Sequence, residues 1–226
     1  VLGLTRLFLV PEGARGAEGA YLAYPRRALL GELALESQCA RCTVVGEDLG
    51  TVPPGLREDL AAANILSYRV LWFERRGRDF IPAAEWPALS AACVSTHDLP
   101  PLEGWLEGAD IAEREALGLL DAAGAAAACT ERAAERAALL AMLPEAASGE
   151  ELAAAIHALV AAGPAALLLV QAEDLAGERV AVNLPGTDRE RPNWRRRLPV
   201  TVAELLDSPR ARAILAAVSP GRYRSG

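Results

Sequence analysis

The segment VVGEDLGTVPPGL, residues 44–56, places an apolar run directly before two carboxylic acids and a glycine. The apolar residues predict a short buried strand over 43–48, and the prolines predict a helix over about 54–64. Because side chains alternate along a strand, Glu47 and Asp48 should face opposite sides. If Glu47 reaches the rim of the sheet, Asp48 is expected to face the other way and make structural hydrogen bonds.

Strand-like and helix-like segments alternate along the rest of the chain. Further apolar, strand-like runs lie at 67–73, 91–98 and 164–174. Helical patterns cover 28–41, 110–143 with a break at Gly124, 150–162, and 201–217 with Thr201 as the cap. This alternation predicts parallel βαβ units, in either a doubly wound sheet or a (β/α)8 barrel. No G-x-G-x-x-G or Walker pattern follows a strand, which disfavours nucleotide binding.

The composition argues against several classes of function. The chain has 226 residues, 52% of them hydrophobic, which is enough for a substantial core. Its formal net charge is −7 and it contains no lysine, so a nucleic acid is an unfavourable partner. No apolar stretch reaches the roughly 18 residues of a membrane-spanning helix. Cys39 and Cys42 form a C-x-x-C pair without a second ligand pair, so we predict no metal site and interpret the cysteines as buried or half-buried thiols in a reducing cytoplasm.

Acids follow three of the four predicted strands: Glu47 with Asp48, Asp98 after His97, and Glu173 with Asp174. In parallel α/β folds the carboxyl ends of the strands surround the active site. Converging carboxylates suggest glycosyl chemistry, in which one acid protonates the leaving oxygen and another supports an oxocarbenium-like transition state. His97, next to an acid, is suited to hydrogen bond a sugar hydroxyl. The alternative is that the acids cap the following helices, and we favour this structural interpretation for Glu173 and Asp174.

Three segments in this order and spacing resemble one known family. They are VVGEDLGTVP at 44–53, STHDLPPLEGWLEG at 95–108 and VNLPGTDRERPNW at 182–194. Together they resemble the 4-α-glucanotransferases called amylomaltase or disproportionating enzyme, glycoside hydrolase family 77, which are relatives of the α-amylases. The resemblance covers essentially the whole chain and is weakest over 120–160.

The resemblance implies a role for each matching residue. Glu47 matches the general acid/base, and Asp98 matches the acid that stabilises the transition state and holds the 2- and 3-hydroxyls of the sugar. His97 matches a histidine of the donor site, and Asn183 corresponds to a sugar-contacting asparagine. We expect Trp105 to serve packing. The family chemistry calls for no metal or organic cofactor.

The resemblance also implies a fold. We expect an α/β chain that forms the C-terminal half of a (β/α)8 TIM barrel, with strands five to eight spread over residues 1–226 and a helical insertion at about 110–162. The family nucleophile is an aspartate in an R-I-D-H motif that ends the fourth barrel strand. Because VLGLTRLFLVP, residues 1–11, resembles the stretch directly after that motif, we expect the chain to lack the nucleophile and to be inactive by itself.

The function implied is a cytoplasmic 4-α-glucanotransferase, a glycosyltransferase that moves α-1,4-glucan segments between maltooligosaccharides by a retaining double displacement. The expected partners are therefore α-1,4-glucans, and not nucleic acid or membrane. Two alternatives remain: an α-glucan hydrolase of the amylase superfamily, and a non-catalytic fragment that binds glucan.

Overall fold

The computed structural model describes residues 1–144 and 149–219, and it contains both strands and helices. The strands are β1 Arg6–Leu9, β2 Ala20–Ala23, β3 Val45–Gly46, β4 Leu66–Val70, β5 Arg75–Arg76, β6 Asp79–Phe80, β7 Ser90–Cys93 and β8 Leu167–Leu169. The helices are α1 Arg26–Ala40, α2 Leu56–Ala62, α3 Leu102–Glu107, α4 Ala109–Ala116, α5 Ala122–Leu140, α6 Glu150–Ala161, α7 Ala172–Ala176, α8 Val202–Asp207 and α9 Pro209–Val218. The predicted α/β class is confirmed at this level. Within the described ranges no helix is long and apolar enough to cross a membrane.

The chain divides into two compact units. The first comprises Val1–Tyr68 with Pro87–Ala91, and the second comprises Arg69–Trp86 with the chain from Ala92 onward. In the first unit β3 pairs with β4 in parallel, with Val45 opposite Leu66. A parallel pair needs a crossover connection, and α2 supplies it.

The core of the first unit follows from the helical spacing of leucines. Leu56 and Leu60 lie one turn apart on α2 and are both fully buried, at 0% and 1% exposure. They pack with Leu30 of α1 and with Ile65, which precedes β4. The β1–β2 hairpin belongs to the same unit and pairs antiparallel, although the sequence pattern had not indicated it.

The second unit is largely helical. Its closest helix pair is α6 with α9, where Ile156 and Val160 of α6 and Ile214 of α9 are all completely buried. Trp72 and Trp105 stack face to face, with ring centroids 4.1 Å apart and planes tilted by 11°. This stack confirms that Trp105 serves packing.

A buried carboxylate ties three elements of the second unit together. Asp174 of α7 is 1% exposed, and its Oδ1 accepts a hydrogen bond of 2.7 Å from the backbone N–H of Leu102 at the start of α3. Its Oδ2 lies 3.3 Å from Nε2 of His157, which is buried on α6. These contacts agree with the structural interpretation of Asp174.

Two predicted helix boundaries are wrong, and both errors come from capping groups. The helix predicted over 110–143 is interrupted at 117–121 and not at Gly124. Asp121 caps α5 and accepts a hydrogen bond from the Gly124 N–H at 2.7 Å, so Gly124 lies inside the helix. The terminal helix is divided in two because the Ser208 side chain caps α9 and proline stands at its first turn. Thr201 caps α8 as predicted, within a complete capping box.

Candidate active site

Glu47 directly follows β3 and is exposed. Its Oε1 accepts a hydrogen bond of 3.0 Å from the backbone N–H of Leu49, which closes a tight turn after the strand. This contact orients the carboxyl group without removing it from solvent. The Glu47 carboxyl group is therefore accessible at the end of the strand.

The neighbouring acid, Asp48, is completely buried, as the alternation of the strand predicted. Its Oδ2 accepts hydrogen bonds of 2.8 Å from Arg57 Nε and from Ser67 Oγ. Its Oδ1 accepts one of 2.8 Å from the backbone N–H of Tyr68. Arg57 also donates to the Asp48 carbonyl at 3.1 Å. A buried carboxylate with these partners fixes the end of β3 against β4 and α2, so Asp48 is structural.

The second unit brings three of the predicted site residues together. Nδ2 of Asn183 donates to Oδ1 of Asp98 at 2.6 Å, across 85 positions in sequence. The other oxygen of Asp98 lies 3.5 Å from Nε2 of His97. The His97 and Asp98 side chains are 60% and 46% exposed, although the residues before them, Ala91 to Thr96, are buried. A buried segment thus leads to the accessible carboxylate of Asp98, which Asn183 contacts at one oxygen.

Asn183 opens a loop that a buried arginine organises. Arg191 is 5% exposed and makes a two-pronged ion pair with Glu113 of α4, at 2.9 and 3.3 Å. The same guanidinium donates to Oδ1 of Asn193 at 2.6 Å and to the Ala181 carbonyl at 2.5 Å. The role of Arg191 is not visible in the sequence, because its partner Glu113 lies 78 positions away.

Asn193 closes the loop from the other side. Its Oδ1 accepts from the Leu184 backbone N–H at 3.1 Å, and its Nδ2 donates to Oγ1 of Thr187 at 2.8 Å. Near the tip, the backbone N–H groups of Glu190 itself and then of Asp188 lower the pKa of the Glu190 carboxyl. At a pH above the ordinary carboxyl pKa, the ionised Glu190 therefore stabilises the ordered tip of the loop. This stabilisation is lost as the pH falls through the lowered pKa of Glu190.

The loop encloses a groove of about 430 Å³. Its lining includes Asn183 and Trp194, together with charged side chains of the loop. The Trp194 ring lies 5.2 Å from the His97 ring, centroid to centroid, at an angle of 49°. Accessible acid, amide, imidazole and indole groups therefore occur together in the second unit, a combination that suits a polar ligand with many hydroxyls.

No metal site accompanies these groups. Within residues 1–144 and 149–219 no cluster of three His, Cys, Asp or Glu side chains could hold a metal ion. The four cysteines are free thiols, and Cys93 is buried. Cys39, Cys42 and Cys129 are exposed, so the expectation that they are buried or half-buried is wrong.

The chain matches the family model Glyco_hydro_77, described as 4-alpha-glucanotransferase, over residues 1–202. This match covers most of the chain, so the chain belongs to that family. A 4-alpha-glucanotransferase of Mycobacterium bovis is 39% identical over 214 residues, which are 89% of this chain and 29% of the relative. The chain thus spans about a third of the length of the curated relatives it matches.

The chain is also similar to parts of two solved structures. The crystal structure of amylomaltase from Corynebacterium glutamicum superposes with a TM-score of 0.87 at 34% identity, covering 96% of this chain and 34% of that one. An amylomaltase from Streptococcus agalactiae, solved in complex with acarbose, matches with a TM-score of 0.68 at 16% identity over 96% of this chain and 39% of its own. At that identity the second match supports the fold alone.

Substitution of Asp48 should destabilise the chain much more than substitution of its neighbour Glu47. Asp48→Ala leaves Arg57, Ser67 and the Tyr68 N–H without their buried acceptor, and should lower the free energy of unfolding by about 3–5 kcal/mol. Glu47→Gln, at an exposed position, should change it by less than about 0.5 kcal/mol. Urea denaturation followed by circular dichroism measures both values. Equal losses for the two variants would contradict the structural assignment of Asp48.

Proposed function

We propose that this chain carries part of the active site of a 4-α-glucanotransferase that acts on α-1,4-glucans. The observation that best supports the proposal is the Asp98 carboxylate, held by Asn183 at 2.6 Å and flanked by His97, in a chain of this family. Glu47 is the proposed general acid/base, Asp98 the transition-state stabiliser, and His97 and Asn183 the substrate-binding residues.

The contacts of Asp98 suit an electrostatic role. The Asn183 amide donates to Oδ1 of Asp98 at 2.6 Å and holds the carboxyl group in one orientation. The side chain remains 46% exposed, so it can accept hydrogen bonds from sugar hydroxyls. A fixed negative charge beside a forming oxocarbenium ion lowers the barrier without a proton transfer of its own. His97 and Asn183 then add donors at the same sugar.

Glu47 has the accessibility that proton transfer needs. In a retaining transfer it donates a proton to the glycosidic oxygen as the leaving sugar departs, while a carboxylate nucleophile takes the glucan. The ionised Glu47 then removes the proton from the 4-hydroxyl of the incoming glucan, which attacks the covalent intermediate and regenerates the nucleophile. The acceptor is a sugar and not water, so the net reaction exchanges one glycosidic bond for another.

We further propose the architecture that this function requires. The chain would form the C-terminal half of a (β/α)8 TIM barrel, strands five to eight, over residues 1–226. The helical insertion of about 110–162 would then contain α4, α5 and α6. The chain spans about a third of the length of its relatives, and we propose that the nucleophile is not among its residues. Maltooligosaccharides are the proposed substrates and the cytoplasm the proposed location.

Catalysis by Glu47 can be tested in a chimera in which residues 1–226 replace the portion of the Corynebacterium glutamicum amylomaltase that they match. We expect maltotriose to yield glucose and maltopentaose. Glu47→Gln should lower turnover by about 10²- to 10⁴-fold and leave maltoheptaose binding nearly unchanged, because it removes the proton and preserves the shape. Chromatography of the products measures the turnover of the unaltered chimera and of the Glu47→Gln chimera.

The matched control in the chimera is Glu36→Gln, the same substitution at an exposed position of α1. It should retain full turnover. Near-normal turnover of the Glu47→Gln chimera would contradict the acid/base assignment. Glucose without longer oligomers would instead indicate the hydrolase alternative.

The isolated 226-residue chain should leave maltotriose unchanged. Without the carboxylate nucleophile no covalent intermediate forms, even if Glu47 and Asp98 are intact. The measurement is prolonged incubation followed by chromatography of the sugars. Formation of maltopentaose by this chain would show that a nucleophile lies among residues 1–226.

A further inference from the structure

We propose that Trp194 is a sugar-stacking residue whose indole face holds the glucose unit next to the one bound at Asp98. The identity of the ligand, an α-1,4-glucan, rests on the proposed function. The location and shape of the stacking surface rest on the geometry of the second unit.

Trp194 is unusual among the tryptophans because it is exposed. Its relative exposure is 61%, whereas Trp72, Trp86 and Trp105 are between 3% and 6% exposed. An aromatic side chain of this size is normally buried unless it has a partner. The Trp194 ring continues the row formed by His97 and Asp98, since its centroid lies 5.2 Å from that of His97.

The backbone at Trp194 is strained. Its φ is +62°, in the left-handed region that suits glycine or asparagine and disfavours a bulky side chain. Two other described residues besides glycine have positive φ, Arg41 and Asn64, and both lie just after helices, where this conformation is common. Trp194 ends no helix. A strained residue that persists in a loop is evidence that its side chain serves a function.

The loop holds the indole in place. The Trp194 backbone N–H donates to the Val182 carbonyl at 3.0 Å, next to Asn183. The preceding residue, Asn193, is fixed by Arg191 and Thr187. Because Asn183 and Trp194 are the two ends of one closed loop, the amide that contacts Asp98 and the indole share a single support. A preorganised aromatic surface loses little conformational entropy when a ligand binds.

A glucose ring fits the chemistry of this surface. The C–H bonds on one face of a pyranose are weakly positive, and the face of an indole is negative. The ring edges carry hydroxyls, and the groove beside Trp194 is lined by Asp188, Arg189 and Arg195, which can accept and donate hydrogen bonds. The apolar face and the polar edge of a sugar thus each have a matching partner.

The test uses the complete 226-residue chain with maltoheptaose, and with cellohexaose as the β-linked control. Since Trp194 is exposed and Trp72, Trp86 and Trp105 are buried, acrylamide quenching of the fluorescence reports mainly on Trp194. We expect saturating maltoheptaose to reduce quenching to the level of the Trp194→Phe chain without sugar. Cellohexaose should give weaker protection.

Trp194→Asn separates function from structure. Asparagine tolerates the left-handed backbone, so the unfolding midpoint should stay the same or rise, while the maltoheptaose Kd measured by calorimetry rises about tenfold. Trp194→Phe should keep most of the affinity. Tyr21→Ala is the matched control, because Tyr21 is 60% exposed and lies in the β1–β2 hairpin of the first unit. Its Kd should equal that of the unaltered chain.

Each outcome supports or overturns the proposal. An unchanged Kd for Trp194→Asn, unprotected Trp194 at saturating maltoheptaose, or no binding by the unaltered chain would overturn it. Transferase activity of the chimera tests the proposed function separately. If the chimera is active and Trp194→Asn leaves the maltoheptaose Kd unchanged, the proposed function stands and the stacking role is wrong. If maltoheptaose protects Trp194 but the chimera is inactive, the stacking role stands and the proposed function is wrong.

Discussion

The buried carboxylate of Asp48 is the interaction on which the first unit depends. A charge removed from water is tolerated only when hydrogen bonds and an opposite charge replace the lost hydration. Asp48 meets this condition through Arg57, Ser67 and the Tyr68 N–H, and so connects α2 and β4 to the end of β3. The position of Glu47, one residue earlier, is fixed as a consequence. The alternation of one short strand thus places a buried and an exposed carboxyl group on adjacent residues.

The second unit uses the same principle with the opposite charge. Arg191 is buried, and its guanidinium is satisfied by Glu113, Asn193 and backbone carbonyls. Its planar fork reaches several acceptors at once, which a lysine ammonium could not match in this geometry. The loop between Asn183 and Trp194 therefore has a defined shape although it contains no helix or strand. Asp98 receives its amide partner from this loop, so the position of that partner depends on the contacts of Arg191.

The sequence by itself determined much about this protein. Local periodicity predicted α1, α2 and α6 to within a few residues, and strand alternation indicated that Glu47 and Asp48 face opposite sides. Three motifs identified the family, which the match over residues 1–202 confirmed. These inferences succeeded because helix spacing, strand alternation and motif order are properties of neighbouring residues.

Only the tertiary structure decided the rest. Helix α5 begins where it does because the Asp121 side chain caps it, which a prediction based on Gly124 overlooked. The β1–β2 hairpin depends on a strand pairing for which the sequence shows no clear alternating pattern. Arg191 and Trp194 stood inside a recognised motif, but their importance appeared only through Glu113 and His97, more than 75 positions away. A linear pattern records which side chains are available, whereas burial, charge pairing and aromatic contact depend on which distant residues the fold brings within reach.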